Sequence, residues 1–504
     1  MAHEPGMKTD VVILGGGLAG LSAAVGISDS GLRVVLLERD VRLGGRARSW
    51  VEPQTRDPIP IGPHVFVSEY PNMMALLRML GTEDRIVWQR SPFIVIVRGS
   101  HETVVPVSSG LPPPLHLLSM GQGAQRVPPR HLLTNLQLML LSLTVTEDDI
   151  LGLDTLNALG LLRSLRADEL SIRLWSFTSM ALLNVPLALC SAGALIRLCR
   201  RMFGRRGYHF GFPDGGLGDL FAPQAQARIE RNGGQVLLNT EATGFTLHDG
   251  QVSGVELADG RQVEARFCVS ALPPAALRRM ARPEWIERHR PFHDLVHFQP
   301  SPYVSTYLWF DRKLTRRTFW ARSYDPNDLN CDFYDLSNIN RGWADRTSVI
   351  ATNCIYAERT RHLNDREIVE TTIKELSEYL PETGRAGLEH AVVNRIPMAI
   401  PCPHPGTEQR RPAVRSGIGR LFLSGDWLRT HLPCCMESAC KAGWMAAEAV
   451  LEEAGRPRRL AREHEEIEGL SGLIYQTARR LPWRHRVWPQ PIVRRLLRQP
   501  TNRL

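Results

Sequence analysis

Three glycines and one acid carry the clearest chemistry in this sequence. Gly15, Gly17 and Gly20 stand in GxGxxG spacing within Gly15-Gly-Gly-Leu-Ala-Gly20, and Glu38 ends the next apolar run. Gly15 allows a tight turn, Gly17 lets a phosphate approach the backbone, and Gly20 lets a helix pack closely on a strand. Leu18, Ala19 and Gly20 would open that helix, whose free N–H groups and partial positive charge favour a pyrophosphate. A carboxylate at Glu38 suits the ribose hydroxyls of an adenosine and repels a 2′-phosphate. The pattern predicts a dinucleotide site. It does not choose between a nicotinamide and a flavin.

Further reactive residues lie elsewhere. Asp426 closes Leu421-Phe-Leu-Ser-Gly425-Asp426. Its spacing fits a ligand carboxylate at the end of a buried strand and a plain helix cap equally well. His64 reads either as a general acid or as a buried histidine with satisfied hydrogen bonds. Cys434 and Cys435 are adjacent, a spacing that rarely closes comfortably into a disulfide, so they read as small packing residues. The chain has nine cysteines, no CxxC pair and no zinc-like spacing. Reduced thiols and no metal site are expected.

The elements that must position these groups form a recognisable order. Val11-Val-Ile-Leu14 and Val34-Val-Leu-Leu37 are short apolar runs, as in buried parallel strands. Between them Leu18 to Ser30 is rich in Ala and Leu and reads as a helix closed by Gly31. Residues 101–214 are Leu-rich at helical spacing. Strand-like runs return at 233–239, 252–263, with a turn at Asp259-Gly260, and 267–272. Residues 291–394 read as strands followed by a helix over 365–379. A last strand, 421–426, precedes a last helix, 436–453. The fold class is α/β: a discontinuous Rossmann-type dinucleotide-binding domain with an inserted α+β substrate domain. The expected segments are 1–100, 215–290 and 395–455 for the first domain. Residues 101–214 form a helical, membrane-facing part and 291–394 the second substrate segment. Residues 456–504 form a basic tail.

At 504 residues the chain has room for two or three domains of roughly 150 residues each. A net charge of +9 suits nucleic acid or an anionic membrane. From Gly469 to Leu504 there are eight Arg and no acid, interleaved with Trp483, Trp488 and several Leu, Ile and Val. That mixture suits a membrane surface, and no nucleic-acid module is visible. Trp175 to Ile196 carries no charge and is long enough to span a bilayer, but Asn184 and Pro186 interrupt it. A core helix pair is expected, or a wall of an apolar channel open to the bilayer. Met1 to Lys8 shows no apolar signal region. The expectation is a cytoplasmic protein, peripheral on the membrane.

A resemblance selects the flavin. Glu38-Arg39 with Leu43-Gly-Gly45-Arg46-Ala-Arg-Ser49 resembles the "ER…GGR..S" stretch of FAD-dependent amine oxidases and carotenoid desaturases. Ile61-Gly62-Pro63-His64-Val-Phe66, Tyr70-Pro-Asn72 and Leu80-Gly81 are similar to a segment of plant-type phytoene desaturases and hydroxysqualene dehydroxylases. Asp214-Gly-Gly216 through Val236 resembles the return to the FAD domain. Gly425-Asp426-Trp427, Pro433, Met436-Glu437, Ala439, Gly443 and Ala446-Ala447 resemble the "aGDw…P..mE.A..sG..AA" signature of squalene- and carotene-type desaturases. Amine oxidases usually carry Glu at the position of Asp426.

The resemblance implies FAD as cofactor. It places Arg39, Gly45, Arg46, Gly62, Pro63 and His64 near it, with Arg46 at the pyrophosphate and the Ala242 backbone at the adenine. Ala242 departs from the usual Val. Asp426 would bond the ribityl hydroxyls, and the helix from Met436 would aim its N–H groups at the flavin N1 and C2 carbonyl, favouring the reduced state. The implied activity is hydride exchange at an allylic carbon of an apolar isoprenoid, by desaturation or by replacement of a hydroxyl. No second GxGxxG is present, so an external carrier such as a quinone would handle the electrons. A flavin amine oxidase, a non-redox polyene isomerase and a non-catalytic FAD-containing lipid-binding protein are the alternatives.

Overall fold

In the computed structural model, residues 7–89, 91–106, 110–117, 129–464 and 466–480 are described. The dinucleotide-type sheet takes its strands from three distant parts of the chain. Its order is Gln235–Leu237, Val34–Leu37, Met7–Leu14, Gln262–Ser270, Gln251–Leu257 and Ala242–His248, with Leu421–Leu423 also beside Gln262–Ser270. The strands from 235–237 across to 262–270, and 421–423, run parallel, while 251–257 and 242–248 add an antiparallel hairpin. Val11 to Leu14 and Val34 to Leu37 are buried throughout, as continuous apolar runs in a covered parallel sheet must be.

The register brings the carboxyl ends of the parallel strands into one row. Leu237 pairs with Leu37, Leu37 and Ser270 pair with Leu14, and Leu423 pairs with Ser270. Gly15, Glu38 and Gly425 therefore leave the same edge of the sheet, where open α/β sheets bind their ligands.

The helix Leu18–Ser28 is buried along its whole length. It packs on Met436–Glu453 at very short range: a Cβ on Gly443 would lie 2.5 Å from the Ala19 carbonyl oxygen. Small residues on both helices permit this approach, and Ser22 Oγ donates to Cys440 Sγ at 3.2 Å.

A second sheet has the order Leu388–Pro401, Pro300–Phe310, Val349–Cys354, Asp332–Asp335, Phe319–Arg322, Ile94–Arg98 and His101–Val105. The helix Asp365–Tyr379 covers one face through Leu376, against Leu308, Trp320 and Ile350. The other face carries Tyr307, Phe319 and Tyr334 and packs with Phe210, Phe212 and Phe177. A helical layer has its own core, built by Pro129–Thr144, Ala158–Ser164, Glu169–Thr178 and Ala192–Gly204.

The structure moves several of the expected boundaries. The hairpin 94–105 belongs to the second sheet, which therefore begins before residue 101. The strand Leu388–Pro401 runs through the boundary at 394, because ten of its residues pair with Pro300–Phe310. Phe210–Pro213 is a strand paired with Phe66–Val67 and Ile86–Trp88, not the end of a helical part. The first helix stops at Ser28 rather than Ser30.

The stretch Trp175 to Ile196 is a helix end, a π-turn over Ser179–Leu183, a break at Asn184 (φ 63°) and the start of Ala192–Gly204. Among the described residues no helix is long and apolar enough to cross a membrane. The first part of the expected tail is not a tail. Arg456 and Arg458 donate to the carbonyls of Ser30, Gly31 and Asp29, and Gly469–Arg480 is a helix against Pro129–Thr144 and Ala192–Gly204. Residues 481–504, with Trp483 and Trp488, lie outside the described residues.

Candidate active site

The glycine turn meets its geometric requirements. Gly15 has φ 100°, a left-handed conformation that suits a residue without Cβ. A Cβ on Gly20 would lie 1.9 Å from the Gly15 carbonyl oxygen, so helix and strand touch there. Around Gly17 the space is open: an added Cβ meets only Gly45 Cα, at 3.9 Å. Leu18 and Ala19 form the first turn of the helix, and Gly17 is its N-cap with no side-chain bond to the free amides. The Gly16 amide donates to Glu38 Oε2 at 2.7 Å, and the Asp40 amide to Oε1 at 2.9 Å. Glu38 is thereby fixed beside the turn. Arg39 is largely exposed and faces Glu241 at 4.0 Å, next to Ala242.

Gly44 and Gly45 bring a second loop onto this turn. The Gly44 amide donates to the Gly16 carbonyl at 2.8 Å, and Gly44 has φ 102°. Arg46, next in the chain, pairs with a residue just after the last strand. Its two terminal nitrogens donate to Asp426 Oδ2 at 2.9 Å and Oδ1 at 2.7 Å, and Nη1 also donates to the Ala399 carbonyl at 3.1 Å. The two charges expected to hold different parts of the cofactor thus hold each other, and they tie the second sheet to both.

Asp426 is fixed from behind as well. The buried Arg411 donates to its carbonyl at 3.0 Å, to the Leu428 carbonyl at 3.3 Å, to Glu408 at 2.8 Å and to Cys434 Sγ at 3.2 Å. Glu408 is also paired with Arg197 of the helical layer. Burial pushes the Cys434 thiol up to about 12, so it stays protonated. All nine cysteines are free, and Cys434 and Cys435 form no disulfide.

Residues 60–64 are held by the second sheet, one carbonyl at a time. Tyr307 Oη donates to the Pro60 carbonyl at 2.7 Å, Asn394 to Ile61 at 3.1 Å and Asn353 to Pro63 at 3.2 Å. The Gly62 carbonyl takes His64 Nδ1 at 2.7 Å. Gly62 has no room for a side chain, since a Cβ would lie 2.5 Å from Ser305 Oγ. Burial, and then the charge of Arg46, lower the His64 pKa, so the imidazole is neutral.

The sequence motif Tyr70-Pro-Asn72 meets Met436-Glu437. Glu437 accepts from the Asn72 amide at 3.1 Å, the Met73 amide at 2.9 Å and Asn72 Nδ2 at 2.6 Å. It therefore caps the first turn of Pro71–Leu80, where the helix dipole favours a carboxylate. Asn72 in turn exchanges hydrogen bonds with the Arg462 backbone at 2.9 and 2.7 Å. Sequence reasoning noted both motifs and missed their partnership. It also missed Arg411, Tyr307, Asn353 and Asn394, whose spacing carries no local signal.

Residues 18–451 match the flavin containing amine oxidoreductases. The chain belongs to that family. As a member it is an FAD-dependent oxidoreductase. It is 28% identical over 469 residues to 15-cis-phytoene desaturase of Solanum lycopersicum, covering 89% of this chain and 79% of that one. With the 15-cis-phytoene desaturase of Synechococcus elongatus it shares 28% over 472 residues, covering 88% and 95%. Cyclohexylamine oxidase from Brevibacterium oxydans shares the fold with a TM-score of 0.67 at 18% identity, over 90% of this chain and 100% of that one.

The residues present fit FAD in this family member. The open space over Gly17 and the uncapped amides of Leu18–Ser28 suit a pyrophosphate. Glu38, fixed beside the turn, would bond the adenosine ribose hydroxyls. Met436 opens a buried helix whose dipole would favour an electron-rich ring, with the Cys435 thiol against the Glu437 and Ser438 amides.

Proposed function

We propose that this oxidoreductase acts on an apolar isoprenoid by hydride exchange at an allylic carbon, as a carotene-type desaturase or a hydroxysqualene-type dehydroxylase. Near-full-length similarity to 15-cis-phytoene desaturases carries the reading. The Gly425-Asp426 pair supports it, since amine oxidases usually hold Glu there. The aromatic and aliphatic face of the second sheet suits a hydrocarbon.

FAD, when bound, supplies the two-electron chemistry. The chain does the rest. Gly15 to Gly20 and Glu38 hold the dinucleotide end. Arg411 fixes the Asp426 backbone, and Arg46 balances its carboxylate. The hydrogen-bonded carbonyls of residues 60–63 set the position of His64. Alignment of an apolar chain and exclusion of water supply much of the rate, which needs few polar groups. A quinone or similar external carrier exchanges the electrons.

Membrane contact belongs to the same proposal. Leu132, Leu133 and Leu136 of Pro129–Thr144, Leu170 and Leu174 of Glu169–Thr178, and Leu470 and Leu473 of Gly469–Arg480 are exposed on helices that pack together. A cytoplasmic, peripheral position on the bilayer would let the substrate pass without crossing water.

The test is anaerobic. Flavin-loaded protein is mixed separately with phytoene, with hydroxysqualene after prior reduction, and with a simple amine. Bleaching by phytoene or reoxidation by hydroxysqualene is the expected result. Reaction with the amine alone would overturn the reading.

A further inference from the structure

One half-buried acid of the second sheet has no role in the site described so far. Asp332 opens the strand Asp332–Asp335, and its place in the register is informative. Ser305 pairs with Asn353, and Asn353 pairs with Asp332, so the three side chains form one row on one face of the sheet. The row begins at the candidate active site: Ser305 Oγ abuts Gly62, and Asn353 donates to the Pro63 carbonyl. Two strand spacings then set Asp332 roughly 10 Å from Ser305. The next row on the same face holds Tyr307, Ala351 and Tyr334, all buried.

The two carboxyl oxygens differ. Oδ2 accepts from Tyr334 Oη at 2.9 Å. Oδ1 is buried with no hydrogen-bond partner. A buried carboxylate oxygen left so would cost free energy, whereas a proton on Oδ1 removes the charge and makes it a donor. The groups that face Asp332 are Tyr334 on its own strand, Asn353 on Val349–Cys354, Tyr303 on Pro300–Phe310, and Cys331 before it. None carries a positive charge, and the hydrogen bonds from Tyr334 and from the side chain and backbone of Asn353, which favour the ionised form, are outweighed by burial. Burial pushes the carboxyl up to about 7.

We propose that Asp332 is the general acid of a dehydroxylation: it gives the proton on its free oxygen to the hydroxyl leaving an allylic carbon of an isoprenoid alcohol. The inference rests on the isoprenoid reading above and chooses a direction within it. The C–O bond breaks and the oxygen departs as water with the Asp332 proton. A hydride from the reduced flavin forms the new C–H bond, and an external two-electron donor restores the reduced flavin. Asp332 regains its proton from solvent. A pure hydrocarbon has no leaving group for this acid to protonate.

The experiment follows reoxidation of dithionite-reduced, flavin-loaded protein by hydroxysqualene in detergent, without oxygen. The wild type should reoxidise, with a rate that falls as pH rises above about 7 because the acid form is the active one. Asp332→Asn should be slower by about 100-fold or more, with that pH dependence gone, and Asp332→Glu should recover part of the rate. Infrared difference spectra of the wild type should show a protonated carboxyl band at pH 6 that Asp332→Asn lacks. This readout needs no turnover. An Asn variant as fast as the wild type, or no such band at pH 6, would overturn the proposal. Bleaching of the oxidised wild type by phytoene with no response to hydroxysqualene would overturn the acid role and leave the isoprenoid reading standing. Silence toward both would overturn both.

Discussion

Arg46 and Asp426 form a two-pronged ion pair, with nitrogen–oxygen distances of 2.9 and 2.7 Å. It joins the loop behind the glycine turn to the last strand of the same sheet. The Asp426 side chain is 5% exposed and that of Arg46 is 35% exposed, so the pair is only partly screened by solvent. Removing one partner leaves the other charge uncompensated in a mostly buried place. Asp426→Ala is expected to lose bound flavin and about 2 kcal/mol of stability, less than a fully buried pair would cost. Flavin absorbance after gel filtration and the thermal midpoint check this. An Ala variant with normal FAD content would refute the role given to Asp426.

Gly17 and Gly20 separate the needs of the fold from those of the cofactor. Gly20→Ala sets a methyl group against the Gly15 carbonyl and is expected to cost about 3 kcal/mol in the cofactor-free protein. Gly17→Ala enters open space with an ordinary backbone angle of −78°. It should leave the cofactor-free thermal midpoint within about 1 kcal/mol of wild type and weaken FAD binding by at least tenfold. Equal losses of fold stability in both variants would contradict the cradle.

These residues also mark how far the sequence could be read. Gly15, Gly20 and Glu38 act through their own turn and the next strand, so their spacing announces them. The partnership of Arg46 with Asp426, and of Asn72 with Glu437, joins segments far apart in the chain. Each motif was visible, but neither names its partner. The interruption at Asn184 and Pro186 was legible because both residues break a helix by local chemistry. The boundary at 394 was not. Leu388–Pro401 stays extended because it pairs along Pro300–Phe310, and only the partner strand reveals that.

Tyr307 is the deepest of the three donors that hold residues 60–64. Its hydroxyl is buried and donates to the Pro60 carbonyl at 2.7 Å. Tyr307→Phe keeps the ring and leaves that carbonyl unsatisfied, at a cost of about 1–2 kcal/mol. Because His64 sits at the end of the same segment, turnover should fall more than FAD content does. A variant with unchanged turnover would separate this segment from the chemistry.

Asp154 gives a pH dependence of stability that is independent of the flavin. It is fully buried, accepts from Ser191 Oγ at 2.5 Å and the Gln409 amide at 3.0 Å, and burial pushes it up to about 6. In the unfolded chain it ionises near its ordinary value of 3.8. Below that pH both states are protonated and the contribution is complete. Between about 4 and 6 the unfolded state ionises while the folded state resists, so stability falls as pH rises, and above about 6 the loss is complete. A shift of that size corresponds to about 3 kcal/mol at most. Urea unfolding of the wild type and Asp154→Asn across pH 4 to 7 checks it. The difference between the two should change with pH in this window alone, and a constant difference would show that Asp154 titrates elsewhere.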